Sequence, residues 1–350
     1  MCPKTNHSNE FYTALPKVEL HRHLEGSVRF DTLVEVGHSH GLKVMETSDL
    51  RPLVQVIEGE PNTFENFLSK FATLRLFYRS PDVIKRITRE AIEDAAADNI
   101  RYLELRFTPV ALSKVKNFPL SEVMDWVIEG AQKGERELGV KTRLIASVNR
   151  HESLGLAEEV IGLAIERKEK GIVGIDLAGS EATAMATPFI GLFREARESG
   201  LHITVHAGEW GGPDNVYEAI SKFQTKRVGH GIRVMEDEKI IALAREQGTI
   251  FEVCITSNYQ SGVTPVLSDH PLPRMLSAGL NVTLNSDDPS ISQISLGDDY
   301  RQANEVLGIP LSVLRDQTIA AAKASFLPED ERVGLTQTLS EEYQQILPTH

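Results

Sequence analysis

The chain has 350 residues, room for two average domains or one α/β barrel, and its 41% hydrophobic and 25% charged residues can build a large core without disulfides. Its 50 acidic and 37 basic residues give a formal charge of −13, which repels phosphate backbones and anionic headgroups and excludes nucleic acid and a membrane surface as expected partners. Two cysteines, Cys2 and Cys254, cannot form a disulfide framework, no apolar run reaches spanning length, and the N-terminus is polar rather than signal-like, so a reducing, cytoplasmic compartment is expected.

In chain order, residues 1–14 read as a flexible N-terminal arm and residues 15–350 as a single domain. A first strand is predicted at 17–20. Roughly eighty residues then precede the next strand, more than a simple βα unit needs, and residues 30–79 within them read as several helices. There Phe64, Phe67 and Phe71 recur on one helix face. They are either a core stripe or a hydrophobic lid, since extra elements after barrel strands sit on the catalytic face. Further strands are predicted at 101–107, 142–148, 173–177, 202–206, 227–230, 250–254 and 282–285, each a short β-branched run, with amphipathic stretches such as 83–98, 120–138 and 237–247 between them. Residues 299–347 read as helical. Parallel strands alternating with helices in this way close into a (β/α)8 TIM barrel, here with extra helices inserted after the first strand and helices at the C-terminus.

The chemistry lies at the strand ends. His21 and His23 stand two apart, so the strand period puts both imidazoles on one face, which in a barrel can be the interior. Alone, such a pair is weak, because histidines two apart arise by chance. His206 ends the fifth run, His230 the sixth, and Asp287-Asp288 follows the eighth, on the rim where barrel enzymes keep their active sites. A lone strand-end His or Asp is commonly a turn residue; so many together point to a site. Three neutral imidazoles and a carboxylate suit Zn2+ and leave room for a bound water, whose pKa zinc lowers to about 7. Glu209 follows His206 across Ala207-Gly208, a turn small enough to bring a carboxyl over the metal.

The segments Pro16-Lys17-Val18-Glu19-Leu20-His21-Arg22-His23-Leu24-Glu25-Gly26, Gly174-Ile175-Asp176-Leu177-Ala178-Gly179, His206-Ala207-Gly208-Glu209, Gly229-His230-Gly231 and Asn285-Ser286-Asp287-Asp288-Pro289 resemble, in order and spacing, the signature segments of adenosine deaminases, metal-dependent purine deaminases of the amidohydrolase superfamily. The resemblance implies hydrolysis of adenosine or 2′-deoxyadenosine to inosine or 2′-deoxyinosine and ammonia, with a purine nucleoside and water as the partners. It implies that His21, His23, His206 and Asp287 hold one zinc per chain, and that His23, Glu25, Gly179 and Asp288 surround the substrate. Glu209 would protonate purine N1, and His230 would orient and help deprotonate the attacking water. Asp288 would bond N7, and the backbone of Gly179 would meet N3.

Residues 63–71 resemble the helix that covers the nucleoside in that family, and residues 206–215 and 252–258 resemble bacterial adenosine deaminases more than the adenine deaminase branch. Glu25 departs from the family's usual Asp at the position expected to contact the ribose 5′-hydroxyl. Adenine, or a 5′-modified adenosine such as aminodeoxyfutalosine or methylthioadenosine, therefore stays open as substrate. A nucleotide fits less well, for want of a glycine-rich phosphate loop and with this net charge. Another barrel metallohydrolase would commonly bridge two metals by a lysine-derived carbamate or a carboxylate at the end of a middle strand; the fourth run ends in Asp176-Leu177-Ala178-Gly179, without lysine, and one metal is expected. A non-catalytic purine-binding protein would have lost a catalytic side chain, and every matching position is filled. The oligomeric state is open.

Overall fold

The computed structural model describes residues 7–44 and 49–347. Eight parallel strands hydrogen-bond in sequence order: β1 (Lys17–His23), β2 (Ile100–Phe107), β3 (Lys141–Asn149), β4 (Ile172–Ala178), β5 (His202–Ala207), β6 (Arg227–His230), β7 (Ile250–Val253) and β8 (Asn281–Leu284). An Arg22–Asp287 bridge joins the chain beyond β8 to β1 and closes the barrel. Beside it the Asn285 carboxamide accepts from Leu20 N at 2.9 Å, standing in for a ladder bond. The expected (β/α)8 barrel is therefore present.

β1 runs three residues past its expected end, through His21-Arg22-His23. Polar residues normally signal the end of a buried strand, but Arg22 is itself buried, its guanidinium 3.3 Å from both Glu19 Oε2 and Ser286 Oγ. Of the N-terminal arm, residues 1–6, including Cys2, lie outside the described residues. Asn9–Ala14 form helix α1, and Lys17 Nζ donates to the carbonyls of Tyr12, Thr13 and Leu15, fastening that turn to the barrel floor.

The insertion after β1 contains α2 (Phe30–Ser39), α3 (Arg51–Val54) and α4 (Phe64–Leu74), before α5 (Pro81–Ala97) resumes the outer layer. Thr63 caps α4 by accepting from Asn66 N. The outer layer continues with α6 (Leu120–Leu138), α7 (Leu154–Ile165), α8 (Ile190–Glu198), α9 (Pro213–Ser221) and α10 (Glu238–Gln247). After β7 come the short helices α11 (Ile255–Gln260) and α12 (Leu272–Ser277), and after β8 the long α13 (Leu311–Ala324) and α14 (Glu329–Ile346). Ala321, Ala322 and Leu339 of the last two cover Val18 and Leu20 of β1. Among the described residues no helix is long and apolar enough to cross a membrane.

Charged side chains meet inside the barrel, some of them from strands that are not neighbours, as those can only at its axis. Arg227 of β6 reaches Glu104 of β2 and Glu252 of β7, each at 2.6 Å, and Arg106 of β2 reaches Glu252 at 2.9 Å and Asp176 of β4 at 3.4 Å, all fully buried. Burial alone would raise the Glu252 carboxyl, but Arg227, Arg106 and His21 hold it well below the usual carboxylate range. Arg227→Met is expected to lower the unfolding free energy by about 3–5 kcal/mol, since it removes the cation paired with buried Glu104 and one of the two guanidinium groups on Glu252. Arg101→Ala, which breaks an exposed pair with Glu342, should stay within about 1 kcal/mol. Urea unfolding compares the two. Equal effects would mean that the axial pairs contribute no more than a surface pair.

Candidate active site

Every residue singled out for chemistry from the sequence lies at the C-terminal mouth of the barrel. His23, Glu25, Gly179, His206, Glu209, His230, Asp287 and Asp288 line one cavity of about 300 Å³, and His21 lies beneath it. Phe67, Leu68 and Phe71 of α4 also line it, and the Phe64 ring lies 5.6 Å from that of Trp210, so the aromatic stripe serves both as packing and as a lid. A larger depression, about 650 Å³ around Arg143, His202 and Phe326, lies at the opposite mouth and holds none of these residues.

The histidines are fixed from behind. His21 Nδ1 lies 2.8 Å from Glu252 Oε2, and His206 Nδ1 lies 2.9 Å from Asp176 Oδ1. Each carboxylate accepts the Nδ1 proton, which leaves the Nε2 lone pair directed at the cavity floor. His21 Nε2 is buried without a hydrogen-bond partner, 3.3 Å from Asp287 Oδ1, and His23 Nε2 lies 3.3 Å from His206 Nε2 and 3.4 Å from Asp287 Oδ1. Ser257 Oγ donates to the other Asp287 oxygen at 2.7 Å. With their ring protons on Nδ1, His21 and His206 turn Nε2 lone pairs toward the floor that Asp287 Oδ1 and His23 Nε2 share, an arrangement a cation relieves. One ligand atom from each of His21, His23, His206 and Asp287 lies within 4.8 Å of the rest. Cys254 with His21, His230 and Asp287 meets the same test, but shares two of those groups, so the sets cannot fill independently. Burial holds His23 well below the usual imidazole range, reinforced by His21 and His206 against the pull of Asp287.

Beside these acceptors sit carboxyls held toward their protonated form. Glu209 is pushed well above the carboxylate range by burial and then by Asp287, Glu181 and Asp288. Asp288, whose Oδ1 has no partner, is pushed up by burial, Asp287 and Glu25. Burial raises Glu25 to about 7, against the Thr108 amide, which donates to its Oε1 at 2.6 Å, and against Arg75. The turn carrying Glu209 needs Gly208, whose φ is +72° and where a Cβ would lie 2.4 Å from Val216. At Gly179, φ +89°, a Cβ would meet Arg150 N at 3.2 Å.

Several contributors were not singled out from the sequence. Glu181 accepts from the amides of Gly208 and Glu209 at 2.7 and 2.9 Å, and so holds the Glu209 turn. Asp176 and Glu252 orient two histidines, and their signal was present, because a carboxylate inside a β-branched run must find a buried partner. Asn258 and His270, which stand behind His230, carried no such signal.

Comparison with known proteins identifies the family. The family model for adenosine deaminase matches residues 16–342. An adenosine deaminase of Klebsiella pneumoniae subsp. pneumoniae is 33% identical over 330 residues, which is 94% of this chain and 98% of the relative. A zinc-bound amidohydrolase from Burkholderia ambifaria superposes with a TM-score of 0.88 at 26% identity, covering 97% of this chain and 93% of its own. The adenine deaminase of Arthrobacter aurescens superposes at 0.86 and 28% identity, covering 94% and 99%. A match spanning the whole barrel, and every segment that builds its mouth, places the chain in the adenosine deaminase family.

Proposed function

We propose that this protein is a zinc-dependent adenosine deaminase, converting adenosine or 2′-deoxyadenosine and water into inosine or 2′-deoxyinosine and ammonia. The observation that carries the reading is the opposition, at one cavity, of the cluster of His21, His23, His206 and Asp287 at its floor and the Glu209 carboxyl on its wall. Three imidazoles and one carboxylate suit zinc, and the similar Burkholderia amidohydrolase has zinc bound. When bound, the ion lowers the pKa of water to about 7.

The protein's own groups do the rest. Addition of the water oxygen at C6 breaks the purine's aromaticity and loads electron density onto N1, and Glu209, kept protonated by burial, gives its proton there. Asp288 meets N7, an acceptor, and so acts as a protonated donor. The Gly179 backbone lies against N3, and His230 orients the water. As the C6–N bond breaks, the proton of the added hydroxyl passes to the departing nitrogen, which leaves as ammonia, and the other proton of the attacking water restores Glu209. A second reading, adenine as substrate, is favoured by Glu25, which lines the cavity with Oε2 buried and unpartnered where an adenosine-specific site needs only the shorter Asp.

Elemental analysis is expected to find about one zinc per chain, with activity lost on chelation. His23→Ala should lower metal content and rate together; two equivalents, or full activity without metal, would remove the single-zinc assignment.

Glu209→Gln keeps the shape but cannot give up the proton, so kcat should fall by about two to four orders of magnitude with zinc retained. In the parent, kcat should fall as pH rises through the raised Glu209 pKa, since the donor must be protonated, and the Gln variant should lack that limb. Turnover within a few-fold of the parent would take Glu209 out of the mechanism.

Glu25→Asp should alter the relative rates on adenosine, 5′-substituted adenosines and adenine at constant metal content. Equal loss on all of them would place Glu25 away from the sugar end.

A further inference from the structure

Behind His230 runs a chain of three hydrogen bonds whose direction is fixed at its far end. The backbone N–H of Leu272, in α12, donates to His270 Nδ1 at 3.2 Å. That nitrogen must carry a lone pair, so the ring proton of His270 is on Nε2. Burial and Arg274 hold the His270 pKa down to about 3, which keeps the ring neutral. Its Nε2 lies 3.3 Å from Asn258 Oδ1, so it donates there and sets which way the carboxamide faces. The Asn258 Nδ2 amide is thereby turned to His230 Nδ1 at 3.2 Å, and an N–H there requires a lone pair on Nδ1. His230, Asn258 and His270 are all buried, so water does not compete for these bonds.

We infer that His270 and Asn258 are positioning residues that keep the proton of His230 on Nε2, so that His230 meets the reacting oxygen as a hydrogen-bond donor and orients it, in place of the share in deprotonating the water that the family resemblance implies for it. The far side of the ring agrees with this. His230 Nε2 faces Glu209 Oε2 at 3.6 Å and Asp287 Oδ2 at 3.9 Å, an acceptor-lined space in which a donor fits. The left-handed backbone of His230, φ 57°, aims the ring at that space from the end of β6. The relay is a different device from the carboxylates behind His21 and His206. Those hold the proton on Nδ1, whereas an amide donor holds it on Nε2.

The inference rests on His230 standing beside the reacting atoms, which His230→Ala tests separately: if kcat survives that change, the proposed role of His230 fails whatever its tautomer. With kcat lost in His230→Ala, 15N spectra of histidine-labelled, metal-loaded protein, assigned by the signal that variant loses, should show His230 protonated at Nε2 and bare at Nδ1. The reverse pattern overturns the relay. Asn258→Asp puts a carboxylate oxygen against Nδ1 and so demands a proton there. Its kcat should fall by about two to four orders of magnitude, the scale of a wrong-tautomer histidine, with KM and zinc content within a few-fold of the parent. Parental kcat in that variant overturns the inference. Should it fail to fold, His270 supplies the second comparison. His270→Gln retains a side-chain N–H for Asn258 Oδ1 and should hold kcat near the parent, while His270→Leu frees the carboxamide and should lower kcat about 10–100-fold. Equal kcat in the two overturns the relay as well.

Discussion

At the barrel axis the Glu252 carboxylate accepts from His21 Nδ1 at 2.8 Å, Arg106 Nη2 at 2.9 Å, Arg227 Nε at 2.6 Å and Thr204 Oγ1 at 3.2 Å. A lone buried carboxylate would take up a proton; two guanidinium groups keep this one charged. Only as the charged acceptor does it hold the His21 proton on Nδ1 and leave Nε2 free for the cavity floor. The ion pairs in the barrel and the tautomer of a candidate metal ligand are therefore one constraint. Apolar replacements at these positions could preserve the barrel, but they would release the imidazole ring.

The adjacent residues Asp287 and Asp288 show how position divides roles between like groups. Both are buried, which alone raises a carboxyl. Asp287 is surrounded by His21, His23 and His230 and accepts from Ser257, and these hold it well below the ordinary range. Asp288 faces Asp287 and Glu25 and has an unpartnered oxygen, so it goes the other way. Two neighbours pushed apart in this manner mark an acceptor and a donor. Glu209, with like charges around it, joins Asp288 on the donor side.

What was legible in the sequence was whatever sits at a strand end. The strand period put His21 and His23 together, and the barrel rim gathered His206, His230 and the Asp287-Asp288 pair, because closure brings every strand's C-terminal end to one mouth. The end of β1 was misjudged because the burial of Arg22 depends on Glu19 and Ser286, and Ser286 becomes a neighbour only when the barrel closes. The partners behind the site were hidden for the same reason. Glu181 reaches the Glu209 turn across two strand-end loops, and His270 meets Asn258 by the path of the loop between α11 and α12. Neither pairing follows from a period, a cap or a turn rule.

Strand ends alone would not aim these side chains, since a regular strand alternates its residues between the barrel interior and the helix layer. His230 and Asp287 resolve this with left-handed backbone, φ 57° and 63°, which few residues other than glycine adopt and which costs of order 1–3 kcal/mol each. At Asp287 the cost is offset where it arises: its N–H donates to His21 O at 2.9 Å and its carbonyl accepts from His23 N at 2.8 Å, the bonds that also close the barrel. At His230 the offset comes from the side chain, through Asn258 and His270. The closure of the fold thus holds one strained residue and the buried relay holds the other. A change that loosens the β8–β1 seam should accordingly be felt first at the candidate metal cluster, which shares Asp287 with it, while a change at Asn258 should spare the seam.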